Sequence, residues 1–196
     1  MHVLEQILEL NRQFVADKEA GRLRPVQTEA VSKYPERKLG VLTCMDTRLV
    51  DFLEPALGIR RGEAKIIKNA GNTVTHPFDG IIRSFMVAVY ELGVEELLVV
   101  GHDDCGMVHT TADSLIIHMK ARGVTDEAIE AIRPALTEWA DYFHHPEENV
   151  RHTVTLLKTN PYLPKDLPVH GLIIDPHTGK LRVLVNGYES GETLCR

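Results

Sequence analysis

Two short stretches hold the residue types that do chemistry. GHDDCGM, residues 101–107, follows an apolar run and sets His102 and Cys105 close together between two glycines. LTCMDTRL, residues 42–49, ends another apolar run on Cys44 and follows it with Asp46 and Arg48. Thiolate and imidazole are ligands that zinc takes, at about 2.0–2.3 Å and usually in a tetrahedral array. His102 and Cys105 can share one ion because Gly106 and the short turn let the chain curl back, and Cys44 joins them if its strand lies beside theirs. Three protein ligands with no evident fourth Cys or His is the count of catalytic zinc, which keeps one position open. The bland alternative is that each cysteine is a small buried hydrophobe, since a single H-x-x-C is weak.

Asp46 and Arg48 form the second half of the candidate site. Zinc with two thiolates and a neutral imidazole carries no net charge as a unit, so it acidifies bound water less than an ion held by neutral imidazoles alone. Help nearby is then required. Asp46 can accept a hydrogen bond from a zinc-bound hydroxide, and Arg48 can hold that carboxylate in a bidentate pair. Without the arginine, Asp46 can swing onto the ion as a fourth ligand. The alternative is an ordinary surface ion pair.

These residues need elements to position them. KLGVLT, AKII and EELLVV are short apolar runs that suit strands buried on both faces, as in a parallel sheet. Helices are expected at 3–16, at 50–58 with a stop at Gly58, and at 80–93, capped by Asp79 and stopped by Gly93. Two more are expected within 110–142, and another from Pro146. Residues 17–36 read as a loop or a short irregular helix. VHGLIID and KLRVLVNGY, separated by PHTG, read as a closing antiparallel hairpin at the sheet edge. The alternation predicts an α/β fold, a mostly parallel central sheet flanked by helices, in a single domain over 1–196. Ligands of such sheets bind beyond the carboxyl ends of the strands. Cys44, Asn69 and His102 all fall there.

The formal charge of -6 and scattered Lys and Arg argue against nucleic acid as a partner. No apolar stretch is long enough to span a membrane, and the N-terminus lacks the pattern of a signal peptide, so a cytoplasmic location is expected. In that reducing compartment the three cysteines point to metal or catalysis rather than disulfides, with Cys195 an incidental thiol.

CMDTR at 44–48, NAGN at 69–72 and GHDDCG at 101–106 together resemble the three signatures of the β-class carbonic anhydrases. The resemblance covers most of the chain, including the closing GLIIDPHTGKLRVLVNGYE. It implies one zinc ion per chain on Cys44, His102 and Cys105, a catalytic dyad of Asp46 and Arg48, and CO₂ and bicarbonate as substrates. It also implies a homodimer or tetramer, with residues 1–36 as a helical arm packed on the partner. Asn69, Ala70, Gly71 and Gly106 are the expected backbone loops around the substrate pocket. Longer members carry a glutamine shortly before the first cysteine motif; here that region reads SKYPERKLG, and the nearest glutamine is Gln27. Among the ten histidines, His76 and His109 lie near the motif loops as shuttle candidates, although a solvated or structural role is the simpler reading of each.

The expected reaction is reversible hydration of CO₂ by a zinc-bound hydroxide oriented by the dyad. Two rivals stand beside it. One is hydrolysis of carbonyl sulfide or carbon disulfide on the same scaffold; the other is a non-catalytic zinc module closed by Asp46.

Overall fold

The structure is a computed structural model that describes residues 2–24, 30–143 and 145–189. Five strands form one sheet in the order β2-β1-β3-β4-β5. They are β1 (Leu39–Cys44), β2 (Ala64–Asn69), β3 (Glu96–His102), β4 (Val169–Ile174) and β5 (Leu181–Val185). The first four run parallel, and β5 closes the edge antiparallel to β4 with a bulge at Gly171/Leu172. This is the mostly parallel α/β sheet with an edge hairpin that the apolar runs predict.

Strand β1 is buried almost throughout, since it lies between β2 and β3 with a layer on each face. Its side chains reach two cores. Leu42 packs in one with Ile82, Phe85 and Val154, while Val41 lies in the other with Leu53, Val100 and Ile174, which Cys44 joins at the end of the strand. Helices α3 (Gly80–Met86) and α6 (Pro146–Thr159) supply the first layer. The second layer holds the short helix α2 (Leu53–Ala56) and the turn after β3.

Most boundaries follow the local signals. Asp79 Oδ1 accepts from the backbone N–H groups of Ile81 and Ile82, both at 2.9 Å, which starts α3 as expected of a capping aspartate. The helix predicted to 93 instead widens into a π turn at Val87–Glu91 before Gly93. The segment expected at 50–58 keeps only Leu53–Ala56 as helix, with Gly58 (φ 64°) beyond it. Helices α4 (Ala112–Ala121) and α5 (Asp126–Ala140) start on Thr111 and Thr125, whose hydroxyls accept from Ser114 N and Ala128 N.

Helix α1 (Val3–Glu19) extends past its predicted end and buries no residue. Its apolar side chains, from Val3 to Val15, are between 42% and 71% exposed. The apolar face of α1 does not cover this chain's own core. Among the described residues no helix is long and apolar enough to cross a membrane. Gln27 and Cys195 lie outside the described residues.

Candidate metal centre

Parallel pairing brings the two motifs together. Thr43 lies opposite Val100 and Cys44 opposite Asn69, so β1, β2 and β3 end at one level. The chain leaves β1 toward β2 on one side and returns as β3 on the other, which opens a crevice beyond their carboxyl ends. Cys44, His102 and Cys105 meet in that crevice, all three buried, with their ligand atoms within 4.8 Å of one another.

The donor set fits zinc. The Sγ atoms of Cys44 and Cys105 are 4.0 Å apart, close to the roughly 3.8 Å spacing of two sulfurs on one tetrahedral zinc. His102 is fully buried, and its Nδ1–H donates to the Asp103 carbonyl at 2.9 Å. That bond leaves the Nε2 lone pair free, and Nε2 has no hydrogen-bond partner. A buried imidazole nitrogen without a partner is costly unless something binds it. The orientation, with Nδ1 fixed by a carbonyl, is the usual support of a metal-ligating histidine.

The electrostatics agree. The Cys105 thiol beside it pulls Cys44 down to about 4, helped against burial by His102 and by backbone N–H groups of Gly71 and Asp46. Cys105 is pushed up by the same neighbour and by burial, so the pair shares one proton. Burial opposes a charged His102, but Cys44, the Asp103 carbonyl and Asp46 together raise the imidazole above its usual range.

Asp46 sits beside this cluster and is already engaged. Its Oδ1 accepts from Arg48 Nε at 3.0 Å and from Arg48 N at 2.8 Å, and its Oδ2 accepts from Arg48 Nη2 at 2.8 Å. The guanidinium holds the carboxyl down at about 2, so at neutral pH Asp46 is ionised and can only accept hydrogen bonds. Its Oδ2 lies 3.7 Å from His102 Nε2.

The remaining sequence candidates separate. Asn69 ends β2, and its Nδ2 donates to the Thr73 carbonyl at 2.7 Å, bracing the loop that holds Ala70 and Gly71. Gly71 has φ 71°, and a Cβ there would meet Phe143 at 2.8 Å and Met107 at 3.2 Å. Gly106 does not make the curl expected of it: a Cβ there would meet nothing within 4 Å, and the left-handed residue of the turn is Asp104, φ 54°. His109 lines a cavity of about 540 Å³ that reaches Cys105 and Asp104, whereas His76 lines a different cleft with Trp139.

Sequence reasoning missed the supporting shell. Asn149 Nδ2 donates to the Gly71 carbonyl at 2.7 Å from α6, and Arg182 on β5 reaches Asp103 Oδ1 at 2.7 Å. Asp104 accepts from Arg48 through both its side chain and its carbonyl. The doubled carboxylate in GHDDCG was the visible signal, but nothing local says which arginine each one meets.

A mostly parallel α/β sheet with two thiolates and an imidazole at its switch point defines a class of metal-centred enzymes. The profile described as Carbonic anhydrase matches residues 39–181, and the chain belongs to that family, in its β-class, a family of zinc lyases. YvdA of Bacillus subtilis, provisionally named a carbonic anhydrase, is 47% identical over 95% of this chain and 93% of its own length. The crystal structure of β-carbonic anhydrase isoform I of Trichomonas vaginalis is 41% identical, with a TM-score of 0.88 over 96% of this chain and 100% of that one. A carbon disulfide hydrolase of Saccharolobus solfataricus is 33% identical over 75% of this chain and 77% of its own.

Proposed function

We propose that this chain catalyses the reversible hydration of CO₂ to bicarbonate and a proton, with one zinc ion per chain held by Cys44 Sγ, His102 Nε2 and Cys105 Sγ. The observation that carries the reading is the unpartnered, buried Nε2 facing two close sulfurs, next to a carboxylate clamped by an arginine. Bound there, zinc supplies the Lewis acidity that makes water a nucleophile near neutral pH.

The chain's own residues do the rest. Arg48 keeps Asp46 ionised and fixed in direction, so its Oδ2 accepts a hydrogen bond from the attacking water oxygen and turns a lone pair toward carbon. Asp103 fixes the His102 tautomer through its carbonyl. Backbone N–H groups of Gly71 and Asp46 spread the charge of Cys44, and that of Met107 does so for Cys105. Met107 and Phe143, packed at Gly71, belong to the same apolar cluster as Cys44 and Cys105 and keep the surroundings of the ligands apolar. Asn69, Ala70 and Gly106 complete the backbone rim.

The test is Asp46→Ala. It is expected to retain zinc and lose most CO₂ hydration; full turnover in that variant would make the dyad role wrong.

A second reading has a specific support, since the chain is also similar to carbon disulfide hydrolases at 31–33% identity. Sulfide release from carbon disulfide or carbonyl sulfide, with no hydration of CO₂, would favour it. The closed zinc module is disfavoured by Arg48, which turns Asp46 into an ion pair rather than a ligand.

We also read the chain as one zinc-binding domain over 1–196 that works as a homodimer or tetramer. The uncovered apolar face of α1 supports an arm, within 1–36, that packs on a partner copy. Two ligand thiols that must stay reduced suit the cytoplasm.

A further inference from the structure

Asp103 and Asp104, on the turn between His102 and Cys105, face different arginines. Asp103 meets Arg182 of β5. Asp104 Oδ2 accepts from Arg48 Nη1 at 2.8 Å, and the Asp104 carbonyl accepts from Arg48 Nη2 at 2.7 Å. Arg48 is therefore held along two edges: Nε and Nη2 toward Asp46, Nη1 and Nη2 toward the turn. A guanidinium is a planar, rigid fork, so fixing one edge fixes the direction of the other.

That second edge matters because of where Asp46 stands. With Oδ2 3.7 Å from His102 Nε2, the carboxylate needs only a small movement to compete for the position that nitrogen addresses. Arg48 opposes the movement only as far as Arg48 is itself fixed. Its anchor is the residue directly before Cys105, so the clamp is registered to the cluster it guards. The backbone points the same way. At φ 54° glycine would be the unstrained choice, yet the turn carries an aspartate, one of the few side chains that tolerate the left-handed region.

We propose that Asp104 is a positioning residue that anchors Arg48 to the ligand turn, keeps Asp46 off the ion, and so sets the balance between an open site and one closed by Asp46. This rests on the reading of Cys44, His102 and Cys105 as metal ligands.

The test uses cobalt(II) in place of zinc, because its visible spectrum reports a thiolate-bound ion and changes when thiocyanate takes the open position. Asp104→Gly removes the carboxylate while leaving the carbonyl contact and the backbone unstrained. It is expected to keep one cobalt per chain and to bind thiocyanate about two- to fivefold more weakly, the range for a largely exposed ion pair. Asp104→Asn, which keeps an acceptor in place, should recover part of that loss. In an Asp46→Ala background, Asp104→Gly should change nothing, since no carboxylate remains to close the site. Equal thiocyanate affinity in wild type and Asp104→Gly overturns the proposal. So does a loss that persists in the Asp46→Ala background, or failure of Asp104→Gly to hold cobalt, because each assigns Asp104 a role other than the clamp. Wild-type protein that takes up no thiolate-bound cobalt overturns the ligand reading itself, a separate failure.

Discussion

Gly71 and Gly93 share a backbone conformation and differ in surroundings, which makes them a controlled pair. Their φ values are 71° and 72°. A Cβ on Gly93 would meet nothing within 4 Å, whereas one on Gly71 would stand 2.8 Å from Phe143 Cε2, 3.1 Å from Phe143 Cδ2 and 3.2 Å from Met107 Cγ. Alanine at either position pays the left-handed penalty, about 1–2 kcal/mol. At Gly71 it also overpacks a buried contact, which adds about 1–3 kcal/mol. Phe143 is 2% exposed and packs in the core cluster that also holds Met107. Gly93→Ala should therefore lower unfolding stability by about 1–2 kcal/mol and Gly71→Ala by about 2–5 kcal/mol. Urea denaturation of the two variants and wild type at equal metal content measures the difference. Equal losses would refute the reasoning, since they would mean that the loop at Gly71 moves away from Phe143 at no cost.

Other predictions address the site and the arm. His102→Ala and Cys105→Ser should each reduce zinc to well under one ion per chain, by metal analysis after dialysis, with the fold retained by circular dichroism. Arg48 holds Asp46 at about 2, below the ordinary aspartate value of 3.8, so ionised Asp46 adds stability above about pH 4 that is lost as pH falls toward 2. In acid unfolding of metal-free protein, the stability difference between wild type and Asp46→Asn should accordingly shrink over that window; a difference that is constant with pH would contradict the ion pair. Leu4→Glu with Leu8→Glu should leave the fold of the chain intact, because both side chains are exposed, yet shift light-scattering mass toward the monomer.

The parts of the fold that were legible in the sequence are those set by local physics. The runs LGVLTC and ELLVVGH are apolar because both sheet faces are covered, and Asp79 marks a helix start through its own hydrogen bonds. The π turn at Val87–Glu91 was not legible, because one uninterrupted apolar periodicity fits either winding. In the site, ligand types and strand ends are written locally, so Cys44, His102 and Cys105 could be singled out together. The contact from Arg48 to Asp104 spans 56 residues and depends on a left-handed aspartate, and neither fact leaves a local trace. Gly106 and the short turn account for the curl in the sequence; in the structure the left-handed residue of that turn is Asp104. Helix α1 reads as amphipathic under either fate of its apolar face, and only the folded chain separates them.

The most direct test of the account is stopped-flow CO₂ hydration on protein of measured zinc content, from about pH 6.5 to 9. The account predicts turnover that scales with zinc up to one ion per chain and rises with pH. Since Asp46 is already ionised throughout that range, the rise should persist in any variant that keeps the Asp46–Arg48 pair. Zinc-loaded protein that is silent at every pH would contradict the proposed activity.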